Sequence, residues 1–291
     1  MMKKSGWFGV YLVLLSTTSL GAFFFFHDRV EGKGVPRSPS LQEDKEGLNE
    51  KPLRSQPVPE PEMPFAQAEA QEKGFTLLKG GGYLFEREDG VEGVAVPGMV
   101  LLENGLIELF ACGIGGKEHE SVLRLECDIH SLDSALTLAG FQRGRIKGSK
   151  RQKGRIGDRL IALVQWKNAE GRVITHRAED LVIHAGRQTP MPRIGWVYVG
   201  RWYGANDPMS SPKNKKTYKI LMAASTRSLV TTWRDESALL DNPMPDAEDD
   251  SLYYANPDPL PPPGTKVMLI LRAPSDKELK EIARLEEEWD E

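Results

Sequence analysis

Only two cysteines, Cys112 and Cys127, and five histidines occur in 291 residues. No C-x-x-C is present, so the chain lacks both a redox dithiol motif and the paired half of a closed zinc site. His119-Glu120 begins like the zinc-protease helix motif H-E-x-x-H, but position 123 is Leu123. His130, His176 and His184 are scattered. No metal and no cofactor is expected from this ligand set. No charge of one sign dominates either, since the net charge is -4. There is thus no global electrostatic case for nucleic acid as a partner. No internal repeat is visible.

What the chain does have begins at its N-terminus. Lys3 and Lys4 precede Gly6 to Phe26, a run without a charged residue. A membrane-spanning helix needs about 20 such residues, and a cleaved signal peptide has a shorter apolar core with a small-residue exit. The exit here is FFFFHDR, so residues 1–26 are expected to be an uncleaved transmembrane signal anchor. A cleaved signal at Ser19-Leu20-Gly21 is the alternative. No cysteine follows the run, which excludes a lipoprotein anchor. The two lysines should stay in the cytoplasm. The chain is then expected in the cell membrane, single-pass, with its bulk periplasmic.

Residues 27–72 read as a Pro-rich, charged, disordered linker, with seven prolines between Pro36 and Pro64. The stretch PVPEPEMP (57–64) favours polyproline II geometry. From 75 to 274 the pattern changes to short β-rich runs: 94–96, 106–112, 122–127, 160–166, 173–176, 196–199, 218–223, 229–233 and 267–271. Turn signals such as Pro97-Gly98 and Pro263-Gly264 punctuate them. One helix stands out over 131–139, with Ser131 as its cap and Gly140 as its stop. A terminal helix is expected over 275–291, where Ser275 and Glu278 fit a capping box and Leu279, Ile282, Leu285 and Trp289 form a stripe. The fold class is therefore α+β: a mostly antiparallel β domain with one packed helix, preceded by a transmembrane helix and a linker.

The stretch CGIGGKEHESVLRLEC (112–127) gathers the reactive letters. Read as two strands joined by a turn near Gly116, it holds the two sulfurs on the order of 15–20 Å apart. A disulfide needs Cα atoms within about 7 Å, so a bridge is disfavoured. Catalysis would use Cys112 as nucleophile, His119 as base and Glu120 to orient it, with glycine N–H groups receiving an oxyanion. Against this, no local signature of thiol proteases is present, and a tight loop whose Glu and His bond the backbone explains the same letters. Lys117, Ser121 and Arg151 are the candidate binding residues. Arg151 belongs to RGRIKGSKRQKGR (143–155), seven basic residues with no acid and no interleaved aromatic. It reads as a mobile solvated loop or a contact for an anionic polymer, and not as a single-strand nucleic acid site. DAEDD (246–250) lacks the glycine of an EF-hand loop. In GWVYVGRWYG (195–204), clustered aromatics suit either sheet packing or stacking on a sugar ring.

The segment VAVPGMVLLENGLIELFACGIGGKEHESVLRLECDIHSLDSALTLAGF (94–141) resembles the YdjY-like domain of uncharacterised exported bacterial proteins. Ile107-Glu108, Ala111-Cys112 and Gly116 to Leu123 carry the likeness, with Gly195-Trp196-Val197 and SLVTTWRDESALLDNP (228–243). It spans about Gly90 to Arg272. The resemblance implies an exported or membrane-tethered domain and carries over no reaction, cofactor or binding residue. Three roles stay open. The first is a non-catalytic cell-envelope binding or accessory module, held to the bacterial membrane through residues 6–26 and contacting an envelope protein or anionic polymer. The second is a thiol-dependent enzyme, and the third is a redox or metal-linked accessory protein.

Overall fold

The computed structural model describes residues 60–87, 90, 92–149, 154–206 and 217–290. The apolar run 6–26, the linker up to residue 59 and Arg151 lie outside the described residues. Among the described residues no helix is long and apolar enough to cross a membrane.

The chain opens with α1 (Gln67–Glu72), β1 (Thr76–Leu77), β2 (Tyr83–Glu86), β3 (Glu92–Val100), β4 (Gly105–Leu106), β5 (Leu109–Gly113) and β6 (Ser121–Leu125). Then follow α2 (Ile129–Leu138), β7 (Arg159–Lys167), β8 (Val173–Arg177), β9 (Val182–His184), β10 (Thr189–Pro190) and β11 (Trp196–Tyr198). The last part holds β12 (Trp202–Asn206), β13 (Thr217–Leu221), α3 (Met222–Thr226), β14 (Ser228–Thr231), β15 (Leu240–Asp241), β16 (Tyr253–Ala255), β17 (Lys266–Arg272) and α4 (Asp276–Asp290).

Eight strands close into a barrel in the order β3-β17-β7-β11-β15-β14-β5-β6, with β6 returning to β3 at Gly98↔Leu125. Strand β3 uses one edge twice, pairing Ala95 with Tyr83 of β2 and Gly98 with Leu125 of β6. Gly98 is required at this seam, because a Cβ there would lie 2.5 Å from the Arg124 carbonyl oxygen. Closure removes the exposed edges that an open sheet would leave.

This corrects the expected architecture. The domain is mostly β, but it is a closed barrel with four helices among the described residues, where two of the strand pairings, β5–β6 and β14–β15, are parallel. The hairpin expected over 106–127 is one of those parallel pairs: Ala111 faces Leu123 and Gly113 faces Leu125. Alternation and turn residues signal strands, but they do not distinguish a reversal from a short crossover. Here the crossover is only residues 114–120, well below the usual dozen or so.

The continuous apolar runs Leu160 to Val164 and Val267 to Leu271 are buried at each position, as strands covered on both faces must be. Each buried aliphatic side chain contributes about 1.5–3 kcal/mol of hydrophobic stabilisation. Phe110 and Trp196 meet across the core with ring centroids 5.9 Å apart, and the Trp196 indole donates to the Thr231 carbonyl at 2.6 Å. Trp196 and Tyr198 are thus core residues, and Trp202 and Tyr203 are exposed.

Helix α2 starts two residues before the expected Ser131. Asp128 is its cap, accepting from the Ser131 N–H at 2.8 Å. The expected strand over 218–223 stops at Leu221, and α3 begins at Met222. Helix α4 has the expected capping box, with the Ser275 N–H and hydroxyl both donating to Glu278 at 2.8 and 2.9 Å. Ile282 is buried and Leu285 and Trp289 pack on the core, but Leu279 is exposed. The two ends of the basic run are tied down, and residues 150–153 lie outside the described residues. Arg143 forms a two-pronged pair with buried Asp133 at 2.9 and 2.6 Å, and Arg155 bonds Asp158 at 2.8 Å.

Residues 60–72, read from composition as linker, pack into the folded body. Met63 and Ala70 are buried, and Glu60 accepts from Arg87 at 2.6 Å and from Arg272 at 2.7 Å.

Candidate functional site

The crossover from β5 to β6 carries Lys117, His119 and Glu120, with Cys112 and Ser121 in the strands that flank it. Gly115 has φ +72°, and a Cβ on Gly116 would sit 3.0 Å from both the Gly113 oxygen and the Arg227 Cβ. Arg227 itself occupies the left-handed region at φ 62°. Its carbonyl accepts from the Gly113 N–H at 2.9 Å, and its guanidinium donates to the Ile114 carbonyl at 2.8 Å. The glycines let this corner approach Arg227 closely. The amides that would form an oxyanion hole are engaged internally: Gly113 to Arg227, Gly115 to Glu118 at 2.9 Å, and Gly116 to Gly113 at 3.0 Å.

Cys112 is fully buried in β5, flanked by Ser228 of β14 and Arg124 of β6. Burial pushes its thiol pKa up, a hydrogen bond with Ser121 opposes this, and the Glu118 charge adds to it. Such a thiol is protonated at neutral pH, and the thiolate is the reactive form. His119 stands on the rim with its side chain 78% exposed, 3.5 Å from Glu120. No hydrogen bond joins it to Cys112 among the described residues. Cys127 is half-buried, and burial together with the Asp128 charge pushes its thiol up to about 12. Both cysteines are free. The parallel register opposes Cys112 to Arg124, so Cys127 lies three residues further along, about 10 Å of strand away.

Lys117 bonds Glu108 and lies 3.4 Å from Glu120. Burial would lower the Lys117 pKa, but the Glu108 hydrogen bond and the charges of Glu108 and Glu120 outweigh it and raise the value. The Ser121 hydroxyl donates to the Lys117 carbonyl at 2.6 Å, and Arg124 pairs with Glu118 at 3.5 Å. The structure therefore brings Lys117, Glu118, Glu120 and Ser121 together as a cross-braced corner. Cys112 lies beneath it and His119 points to solvent.

Sequence reasoning missed a second cluster. Asp241 of β15 is fully buried, and its Oδ1 accepts from the Thr231 hydroxyl at 2.8 Å and the Asp235 N–H at 3.1 Å. Its Oδ2 has no hydrogen-bond partner among the described residues. Burial pushes its pKa up to about 7, against these hydrogen bonds and the nearby Arg234 charge. The preceding loop, between β14 and β15, borders an open cavity of about 740 Å³ lined by Gly148, Ser149, Trp233, Arg234, Asp235, Glu236 and Glu248. The available signal was an acid placed directly after Ala238-Leu239-Leu240, at the end of a short apolar run.

Nearby, His184 is buried and its Nε2 lies 2.8 Å from Asp246, whose other oxygen accepts from Tyr253 at 3.0 Å. Asp246 is thus engaged in clamping a turn to β9 and β16, and is not a free calcium ligand. Among the described residues no three His, Cys, Asp or Glu side chains group as a metal site.

The architecture defines a closed mixed β-barrel whose conspicuous loop is an internally bonded polar corner. Residues 94–272 match the YdjY domain, and the chain belongs to that family. No curated protein and no solved structure matches it.

Proposed function

We propose that this protein is a membrane-tethered, extracytoplasmic binding or accessory module of the cell envelope, which acts by contact rather than by thiol chemistry. The observation that carries the second half is the state of Cys112. It is buried with a raised pKa, under a loop whose Gly113, Gly115 and Gly116 amides already have acceptors. A nucleophile needs the opposite: exposure, a lowered pKa and an adjacent base. The uncharged run from Gly6 to Phe26, with lysines before it, supports the tether. Two of the basic residues suggested for an anionic polymer, Arg143 and Arg155, are held by Asp133 and Asp158, which favours an envelope protein as the partner.

The test is complementation in cells. Deleting residues 75–274 should produce an envelope phenotype, and full-length chains carrying Cys112→Ala or His119→Ala should restore the wild type. Failure of a folded Cys112→Ala chain to restore it would overturn the contact reading in favour of the thiol enzyme.

A further inference from the structure

We propose that the barrel carries a peptide-recognition groove for an extended segment with a carboxylate three residues before a methionine, and that the chain's own strap, Glu60 to Phe65, occupies it in cis. The inference does not depend on the membrane tether.

The groove is built from residues distant in sequence. Buried Gln165 of β7 reads the strap backbone with both ends of its amide, accepting from the Met63 N–H at 2.9 Å and donating to the Pro61 carbonyl at 2.9 Å. A side-chain amide that pairs with backbone in this way recognises an extended strand whatever its side chains. Selectivity comes from three further contacts. Arg272 of β17 and Arg87, both buried, converge on one oxygen of Glu60 at 2.7 and 2.6 Å. Met63 is buried to 2% exposure. Lys167 lies over the Phe65 ring, 5.4 Å from its centroid.

Two observations make the strap a ligand rather than a structural strand. The eight-strand ladder closes without it, and it lies outside the matched YdjY segment, which begins at residue 94. Prolines at 61 and 64 hold the strap near the extended form it needs when bound, which reduces the ordering cost. Tethering gives the strap a high effective concentration at the groove, so the cis ligand competes strongly with any free peptide.

The experiment uses the full chain in detergent and a fluorescein-labelled synthetic peptide of residues 56–66, with binding read by anisotropy. Glu60→Gln with Met63→Ala weakens the cis strap and leaves the groove intact. This variant should bind the peptide saturably, and the wild type at least tenfold more weakly. Adding Gln165→Leu to the strap variant should abolish binding while near-UV circular dichroism stays unchanged. The proposal is overturned if the folded strap variant does not bind, if wild type and variant bind equally, or if Gln165→Leu has no effect. It is also overturned if the strap variant fails to fold, because the strap would then be an integral part of the barrel.

Discussion

Glu60 and Arg272 meet at 2.7 Å although 212 residues separate them. Arg272 is the last residue of the YdjY match, and it also donates to Glu278 of α4 at 2.8 and 3.0 Å. One guanidinium thereby joins the strap, the final barrel strand and the terminal helix. Arg177 completes the group by bonding Glu278 at 2.9 Å and buried Glu179.

Arg272→Met should therefore destabilise the protein strongly. It removes the cation shared by two largely buried carboxylates. Each keeps one other arginine, Arg87 on Glu60 and Arg177 on Glu278, so the expected loss is about 2–3 kcal/mol, below that of a fully unpaired buried charge. Urea unfolding followed by tryptophan fluorescence measures this. A loss below about 1 kcal/mol would mean that the network contributes little.

The same network makes stability depend on acid. Burial raises the Glu278 pKa, but the hydrogen bonds and charge of Arg272 and the Ser275 bonds bring it down to about 2 from 4.5. A lowered carboxylate stabilises the fold above its unfolded pKa and loses that contribution as pH falls. Stability should decline from about pH 4.5 towards pH 2, and Glu278→Gln should flatten that decline.

Asp241 has the opposite sign. Its pKa is raised to about 7 from 3.8, so the native state binds its proton more tightly than the unfolded chain does. Its contribution is full below about pH 4 and disappears as pH rises to about 7. Asp241→Asn should remove that loss and make the variant relatively more stable at pH 8 than at pH 5. Thermal melts of both proteins at the two pH values check this, and parallel pH profiles would contradict it.

The thiols give a third measurement. At neutral pH in the folded protein, iodoacetamide should label Cys112 only after denaturation, since the thiol is buried and protonated. Mass spectrometry of tryptic peptides reads the site directly. Labelling of native Cys112 at the rate of a free peptide thiol would revive the nucleophile.

Much of this was legible in the sequence, and the rest depended on pairing. The runs 160–166 and 267–271 announced strands as short β-rich stretches, and both are strands in the fold. The Ser275–Glu278 box announced α4, because a cap is a local interaction that adjacent letters specify. Closure of the barrel and the parallel direction of β5 and β6 depend on contacts such as Gly98↔Leu125 and Ala111↔Leu123, which no local pattern encodes. The strap shows the same limit in reverse. Proline and charge made residues 60–65 look like linker, yet Gln165, Arg87 and Arg272 hold them from elsewhere in the chain. At the candidate site, the letters Cys112, His119 and Glu120 suggested chemistry through their proximity, and the fold separates them by burying the first and exposing the second.

The account depends most on which side of the membrane the barrel occupies. Alkaline phosphatase, active only outside the cytoplasm, and green fluorescent protein, fluorescent only inside it, can each be fused after Glu291. The account predicts an active phosphatase fusion and a dark fluorescent fusion. A bright fluorescent fusion with inactive phosphatase would put the barrel in the cytosol and contradict it.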